Sequence, residues 1–209
     1  MTPQRIKKLK DVISRRQKDL TVILENVIDA HNIAAILRSC DSVGINEVYL
    51  IFTDEVHYCK LGPVNPNPMS ILRTINRRKK SSGHAKKWID LHYFETTEAC
   101  FDVIRTKYDA IYTTHLSEEA TDLHSMDFTK SMALVFGNEQ SGLSQTAVTL
   151  SDGNFIVPQM GMTRSLNISV ACAISLYEAY RQRKQAKMYD NPSFSNAEQA
   201  VLLEDWKSR

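Results

Sequence analysis

Three polar segments of this chain each follow a short apolar run, and they hold the residues best placed to do chemistry. They read TTHLS from Thr113, GNEQSG from Gly137 and PQMGMTRSLN from Pro158. The apolar runs predict strands of a parallel sheet, and ligands bind beyond the carboxyl ends of such strands. We therefore expect the three segments to meet at one edge of the sheet and to form a single site.

These segments do not match the common nucleotide and catalytic motifs. GNEQSG has GxxxxG spacing but lacks the Lys and Ser or Thr that complete a phosphate-binding loop, and no GxGxxG follows the first predicted strand. No Ser-His-Asp or Cys-His set is evident from the spacing. What remains is a set of glycines and apolar strand ends. These favour an uncharged aromatic ligand, such as an adenosyl group, held largely by backbone groups.

Several polar residues near these segments have an ordinary structural alternative. Ser165 or Asn167 can cap the long helix that is predicted to begin there, and Asn32 can cap an earlier helix. Arg38 can pair with Asp41, which lies three residues further along that earlier helix. Spacing alone leaves both the structural roles and a role in a binding site open.

The cysteine pattern and the hydropathy limit the class of protein. The four cysteines, at positions 40, 59, 100 and 172, have no CxxC spacing, and no histidine is placed to complete a zinc site, so we expect no metal. Cys40 and Cys172 fall on apolar faces of predicted helices and are expected to be core thiols. No apolar stretch is long enough to span a bilayer. These features predict a reduced, cytoplasmic protein that does not engage a membrane.

The positive charge is concentrated, although the net charge of the 209 residues is only +2. Residues 5–18 and 73–87 carry seven Lys and Arg each, and 181–187 adds four, which together make 18 of the 26 basic residues. The run 73–87 contains no acidic residue. Basic patches on a nearly neutral chain indicate a protein that binds a polyanion such as RNA, and the alternative is three solvated helix faces.

Short β-branched runs alternate with amphipathic segments, which predicts an α/β fold with a parallel sheet covered on both faces. Strands are predicted over 20–27, 47–52, 109–114, 132–136 and 154–158. Helices are predicted over 3–18, 31–44, 96–107, 142–150, 165–187 and 195–206, with Gly44 as a C-terminal stop. Residues 54–88 predict one long loop, and we expect its basic run to be mobile in the free protein.

Three stretches resemble, in order, the three sequence motifs of the SpoU/TrmH branch of the SPOUT methyltransferases. HNIAAILRSCDSVGINEVYL is similar to the first motif, with Asn32 and Arg38 at its two polar positions. ALVFGNEQSGLS is similar to the second, with Glu139. IVPQMGMTRSLNISVACAISLYEAYRQR is similar to the third, with Ser165 and Asn167. The stretches RRQKDLTVILENV and AKMYDNPSFSNAEQAVLL resemble the members of this family that act on tRNA.

The resemblance implies a Rossmann-like SPOUT fold with a C-terminal deep trefoil knot, a homodimer packed through the knot region, and flanking helices at both ends. It divides the chain into a basic N-terminal helix over 1–19, a methyltransferase domain over 20–187 with the knot at about 132–180, and a C-terminal extension over 188–209. One departure from the family pattern is Gln159, because the usual Ile-Pro-Met is Val-Pro-Gln here.

The resemblance also implies an S-adenosylmethionine-dependent enzyme that methylates the ribose 2′-OH of guanosine-18 in the D-loop of tRNA. It implies cofactor contacts at four positions: Thr114, Gly137, Val157 and Leu166. It implies that Arg38 activates the hydroxyl, and that four polar residues position Arg38 and the ribose: Asn32, Glu139, Ser165 and Asn167. Because arginine is not deprotonated in proteins, we expect Arg38 to hold the adjacent phosphate and to stabilise the developing alkoxide.

Three other functions stay open at this point. A catalytically silent RNA-binding protein would keep the basic stretches without needing Asn32, Arg38, Glu139 and Asn167 together. A dinucleotide-dependent oxidoreductase would need the glycine fingerprint that this chain lacks. Within the methyltransferases, a 2′-O-methyltransferase of ribosomal RNA is the nearest alternative.

Overall fold

The computed structural model describes residues 1–53, 85–117, 119–163 and 165–209. These residues form a seven-stranded sheet with helices on both faces, which confirms the predicted α/β fold. Most of the loop predicted over 54–88 lies outside the described residues. The predicted mobility of the basic run therefore stays a prediction.

All strand pairings in the sheet are parallel, so the carboxyl ends of the strands share one edge. The strand order across the sheet is β3-β2-β1-β6-β4-β7-β5. The strands are β1 Leu20–Glu25, β2 Glu47–Ile51, β3 Asp90–Phe94, β4 Ala110–Thr114, β5 Thr121–Asp122, β6 Met132–Phe136 and β7 Gly153–Ile156. Because β4 lies between β6 and β7, the three loops that follow these strands are neighbours.

Six α-helices accompany these strands within the described ranges. They are α1 Pro3–Ile13, α2 Ala30–Val43, α3 Thr97–Arg105, α4 Gln145–Leu150, α5 Ile168–Gln185 and α6 Asn196–Ser208. Two short 3-10 helices, Ala85–Trp88 and Leu123–Ser125, complete the set. Gly44 ends α2 as predicted, with a φ of 89° that favours glycine.

The sheet separates two apolar layers, because side chains alternate between its faces. Leu24 and its neighbours of the same parity pack with α2 and α5, whereas Ile23 packs with α3. The predicted core thiols Cys40 and Cys172 are both fully buried in the α2–α5 layer. Burial raises the pKa of Cys172, and its hydrogen bond with Cys40 adds to that rise.

Two strands, β3 and β5, were not predicted from the sequence. β3 is an edge strand whose residues are only half-buried or exposed, so Asp90–Phe94 lacks the continuous apolar run that marks the central strands. β5 forms the other edge and has only two residues, Thr121 and Asp122. Short, partly polar edge strands carry little periodicity, and their pairing partners are distant in the sequence.

Two arginines of the basic stretches belong to the interior, and the N-terminal helix is shorter than predicted. α1 ends at Ile13, and Arg16 is fully buried, with hydrogen bonds to Ile45 O at 2.7 Å and to Asp41 Oδ1 at 2.6 Å. Arg183 is equally buried and donates from Nε to Phe128 O at 2.8 Å. These two guanidiniums join elements of the fold and are not part of a polyanion-binding surface.

The two terminal helices pack against each other outside the main core. Leu9, Ile13 and Trp206 form a small buried cluster between α1 and α6. The centroid of the Trp206 ring lies 5.0 Å from that of Trp88 and 4.9 Å from the guanidinium carbon of Arg16. The C-terminal segment is therefore bound to the start of the chain.

Candidate active site

The loops that follow β4, β6 and β7 enclose a cavity of about 560 Å³ at the carboxyl edge of the sheet. This volume lies in the range of about 300–1,000 Å³ that is usual for small-molecule sites. Six of the nine predicted site residues line the cavity: Thr114, Gly137, Glu139, Val157, Ser165 and Leu166. The meeting of the three polar segments at one edge, which the sequence predicted, is confirmed.

Apolar side chains form much of the cavity wall. Phe136 and Phe155 contact each other edge to face, with ring centroids 6.3 Å apart, and Ile168 and Ala171 of α5 also line the cavity. Polar side chains among the lining residues include Glu139 and Gln159. An aromatic heterocycle with one polar edge fits such a wall better than a polyphosphate, which requires clustered cations and backbone N–H groups.

Gly137 is required by the shape of the loop that bears it. A Cβ atom added at Gly137 would lie only 2.5 Å from the carbonyl carbon and oxygen of Gly142 and 2.7 Å from the backbone nitrogen of Leu143. Gly142 itself has a φ of 72°, in the left-handed region. Asn138 and Gly142 exchange two backbone hydrogen bonds of 2.9 Å, so the segment GNEQSG closes on itself.

A chain of side-chain hydrogen bonds joins the three sequence motifs beside the cavity. Asn167 Nδ2 donates to Asn32 Oδ1 at 3.1 Å, and Asn32 Nδ2 donates to Glu139 Oε1. Asn32 therefore uses both ends of its amide. Neither Asn32 nor Asn167 lines the cavity, but this bridge connects both of them to Glu139, which does.

The two capping alternatives have different outcomes. Asn167 is the N-cap of α5, and its Oδ1 accepts from Ser169 N at 2.9 Å. It therefore caps the helix and joins the polar chain at once, whereas Ser165 is exposed at the cavity. The predicted cap role of Asn32 is wrong, because Asp29 is the N-cap of α2 and accepts from His31 N at 2.8 Å. Asn32 lies inside the first turn, so its side chain is directed to Glu139.

Arg38 lies apart from the other predicted residues. It stands on an exposed part of α2 and does not line the cavity. It is six positions from Asn32, which at about 100° per residue puts the two on different faces of the helix. Asp41, its alternative partner, pairs with Arg16 instead. Within the described ranges, the Arg38 guanidinium forms neither an ion pair nor a hydrogen bond, so it is available to a ligand.

Sequence reasoning missed the residues that hold the second motif in place. Glu25 is fully buried at the end of β1 and accepts a hydrogen bond from the backbone N–H of Ser144. The carbonyl of Asn26 accepts a hydrogen bond from Asn138 Nδ2 at 2.8 Å. The available signal was the acid itself, because Glu25 ends the otherwise uncharged run LTVIL.

The described residues contain neither a metal-binding cluster nor a membrane-spanning helix. They contain no group of three or more His, Cys, Asp or Glu side chains that could hold a metal ion. No helix in the part of the chain that the structure describes is long and apolar enough to cross a membrane.

The chain is similar to known proteins in both sequence and fold. The chain is 38% identical over 205 residues to a tRNA (guanosine(18)-2′-O)-methyltransferase of Thermus thermophilus, covering 98% of this chain and 96% of that protein. It is 35% identical to the enzyme of the same name from Escherichia coli, covering 97% and 82%. The crystal structure of the Aquifex aeolicus TrmH/SpoU tRNA modifying enzyme superposes with a TM-score of 0.82 at 33% identity, covering 98% and 95%.

A sequence profile extends the same relationship to the family level. The profile of the SpoU rRNA methylase family matches residues 19–177, which include the polar chain, the cavity-lining loops and part of α5. The three motifs that suggested the resemblance all lie within or begin within this range. The chain belongs to the SpoU rRNA methylase family.

Proposed function

We propose that this protein is an S-adenosylmethionine-dependent tRNA methyltransferase that methylates the ribose 2′-OH of guanosine-18 in the D-loop. The observation that carries the proposal is the cavity lined by the second and third motifs and by the loop after β4, to which the first motif is joined by the bridge from Asn167 through Asn32 to Glu139. Relatives of that name, at 35–38% identity over nearly the whole chain, support the choice of substrate.

The residues of the cavity fit the cofactor. S-adenosylmethionine supplies an activated methyl group when it is bound. The apolar wall around Phe136 and Phe155 would suit the adenine ring, and backbone groups of the three loops would hold its polar edge. Four residues that line the cavity would provide these contacts: Thr114, Gly137, Val157 and Leu166. Gly137 would contribute its backbone to the cavity wall, because the absence of a Cβ allows its loop to close against Gly142.

The polar chain serves the ribose. A hydroxyl is a poor nucleophile, so it must be oriented and must lose its proton as the new bond forms. Glu139 and Ser165 line the cavity and lie where they can orient the ribose, while Asn32 and Asn167 hold the Glu139 carboxylate in place. The proton passes to an RNA phosphate or to water.

Arg38 acts on the RNA rather than on the cofactor. Its exposed guanidinium binds the phosphate next to the target ribose and stabilises the negative charge that develops on the 2′ oxygen. Because Arg38 lies outside the cavity of its own chain, this role does not depend on contact with S-adenosylmethionine.

A homodimer packed through α5 belongs to the same proposal. Val170, Ile174 and Tyr177 are 45%, 37% and 52% exposed, and their spacing puts them on one face of the helix. An exposed apolar stripe of this kind favours association with a second copy. Ile174→Asp should shift a dimer to monomer in light scattering after size-exclusion chromatography, whereas Val201→Asp on α6 should not. A monomeric wild type would contradict the dimer.

The same proposal includes a trefoil knot over about 132–180 and the division into segments 1–19, 20–187 and 188–209, which the resemblance implies. It also includes catalysis without a metal and a cytoplasmic location, which the cysteine pattern and the composition predict. α1 and α6 contact each other and lie outside the catalytic domain in this division.

Mapping of 2′-O-methylation tests the proposal directly. Total RNA is incubated with the protein and labelled S-adenosylmethionine, with and without a chelator. The expected product is tRNA methylated at guanosine-18, with a yield that the chelator does not change. Methylation confined to ribosomal RNA would establish the alternative activity. That alternative is supported by the 28% identity of the chain to a 23S rRNA (guanosine-2′-O-)-methyltransferase of Acinetobacter baylyi. Absence of labelled RNA would contradict both activities.

A further inference from the structure

Glu25 is a buried carboxylate that the proposed mechanism does not use. It ends β1, and none of its surface is exposed. Its oxygens accept three hydrogen bonds from uncharged donors, namely Thr97 Oγ1 at 2.6 Å, Ser144 Oγ at 2.8 Å and Ser144 N at 2.7 Å. A buried carboxylate is costly unless such donors satisfy it, so its surroundings are built around its charge.

Two of these three hydrogen bonds come from one residue, at the start of a helix. Ser144 is the N-cap of α4, and its Oγ accepts from Ala147 N at 3.0 Å while it donates to Glu25. Both the hydroxyl and the backbone N–H of Ser144 are thereby oriented. Glu25 holds the point at which the segment GNEQSG ends and α4 begins.

The residue after Glu25 holds the other end of the same segment. Asn26 has a φ of 57°, and its carbonyl accepts from Asn138 Nδ2 at 2.8 Å. Asn138 Oδ1 in turn accepts from the backbone N–H groups of Gln140 and Ser141, at 2.8 and 3.2 Å. The end of β1 therefore contacts the segment from Asn138 to Ser144 at both of its ends.

This segment forms one side of the cavity. Gly137, Asn138, Glu139 and Gly142 all line it. In the register of β1 and β6, Leu24 pairs with Phe136, so Glu25 and Gly137 are the next residues on the two adjacent strands. A shift of Ser144 would move the backbone at the cavity wall and the carboxylate of Glu139 together.

We propose that Glu25 is a positioning residue for the cofactor site, which acts through Ser144 by holding the backbone of residues 137–144 in the shape that binds S-adenosylmethionine. The proposal rests on the function proposed above. A purely structural role is the alternative, and Thr97 distinguishes the two. Thr97 donates to the same carboxylate from α3 and does not line the cavity.

The experiment compares Glu25→Gln with Thr97→Val by calorimetric titration with S-adenosylmethionine and by thermal unfolding. Glu25→Gln keeps the shape of the side chain but replaces one carboxylate oxygen, an acceptor, with an NH2 group, a donor. That donor would face either the N–H of Ser144 or the hydroxyls of Ser144 and Thr97. We expect its Kd for S-adenosylmethionine to rise by about tenfold or more, since a hydrogen bond to a charged group is lost and a buried donor is left without an acceptor. Thr97→Val should lower the unfolding temperature but change the Kd by less than about twofold.

A third variant covers the case in which Glu25→Gln does not fold. Ser144→Ala removes the hydroxyl but keeps the backbone N–H, so it should raise the Kd by a smaller factor than Glu25→Gln. If the rise in Kd were proportional to the loss of unfolding temperature, with the same proportion in Thr97→Val as in the other two variants, the positioning role would be overturned. An unchanged Kd in both Glu25→Gln and Ser144→Ala would also overturn it. A wild-type protein that does not bind S-adenosylmethionine would refute the proposed function instead.

Discussion

Asn32 and Asn167, which are 135 positions apart in the chain, meet through a hydrogen bond of 3.1 Å between Asn167 Nδ2 and Asn32 Oδ1. The contact joins the N-cap of α5 to the first turn of α2. Because the other end of the Asn32 amide donates to Glu139, each of the three side chains limits the orientation of the next. The three sequence motifs are therefore held together by side chains as well as by the sheet.

Asn32→Asp tests this bridge with little change of shape. The new carboxylate can still accept from Asn167, but it would face the Glu139 carboxylate without a proton donor between them. We expect methyl transfer to fall by about tenfold to a hundredfold, because one hydrogen bond is replaced by a like-charge contact. Turnover is measured with saturating cofactor. The control is Asn191→Asp, which should keep full activity. In the wild type, the Asn191 amide donates to Lys187 O, near the start of the C-terminal segment.

Arg38→Ala should separate catalysis from cofactor binding. Arg38 lies outside the cavity, so the Kd for S-adenosylmethionine should stay within about twofold of the wild-type value. The rate of methyl transfer should fall by about a hundredfold or more, as expected when a group that stabilises developing negative charge is removed. Arg105→Ala, an exposed arginine on α3 paired with Asp152, is the matched control. Near-normal turnover in Arg38→Ala would refute the assignment.

The basic run from Arg73 to Lys87 lies mostly outside the described residues, and its role is predicted from its charge. Replacing Arg77, Arg78, Lys79 and Lys80 with alanine should raise the apparent Michaelis constant for tRNA and leave cofactor binding unchanged. Each lost phosphate contact should reduce the log–log salt slope of tRNA binding by roughly 0.7 to 0.9. Binding is measured at several salt concentrations. An unchanged slope and affinity would assign tRNA recognition to the terminal helices instead.

Glu47 should contribute to the free energy of unfolding near neutral pH, and this contribution should be lost in acid. Burial raises its pKa, but the His92 ring, whose Nε2 lies 2.9 Å from the carboxylate, and hydrogen bonds from Lys107 and Tyr49 outweigh burial and lower the value from 4.5 to about 2. A carboxylate with a lowered pKa stabilises the fold above the unfolded-state value, and that contribution is lost as the pH falls from 4.5 towards 2. Its upper limit is about 3 kcal/mol.

The measurement for Glu47 is the urea unfolding free energy as a function of pH. Glu47→Gln should be less stable than wild type near neutral pH, and the difference should shrink between pH 4.5 and 2. Glu198 is the control, because its hydrogen bond from Lys18 also lowers its pKa to about 2 but on an exposed surface. Solvent screening should leave Glu198→Gln nearly neutral. Parallel pH profiles for wild type and Glu47→Gln would contradict the prediction.

Local patterns in the sequence were sufficient for most of the fold and for the place of the site. The five β-branched runs became strands, and Gly44 ended a helix, because strand propensity and a left-handed cap depend on neighbouring residues. Because parallel strands all have their carboxyl ends at one edge of the sheet, the three polar segments that follow them had to lie at that edge. Which of those segments were neighbours depended on the strand order.

Contacts between distant residues decided the rest. Asn32 has the residue type and the position expected of a helix cap, yet Asp29 caps that helix. Asn32 instead bridges Asn167 and Glu139. Arg16 and Arg183 were indistinguishable in sequence from the surface cations around them, although both are buried in hydrogen-bond networks. The identity of a side chain limits what it can donate or accept, but only the packing of the whole chain determines which partner, solvent or ligand it meets.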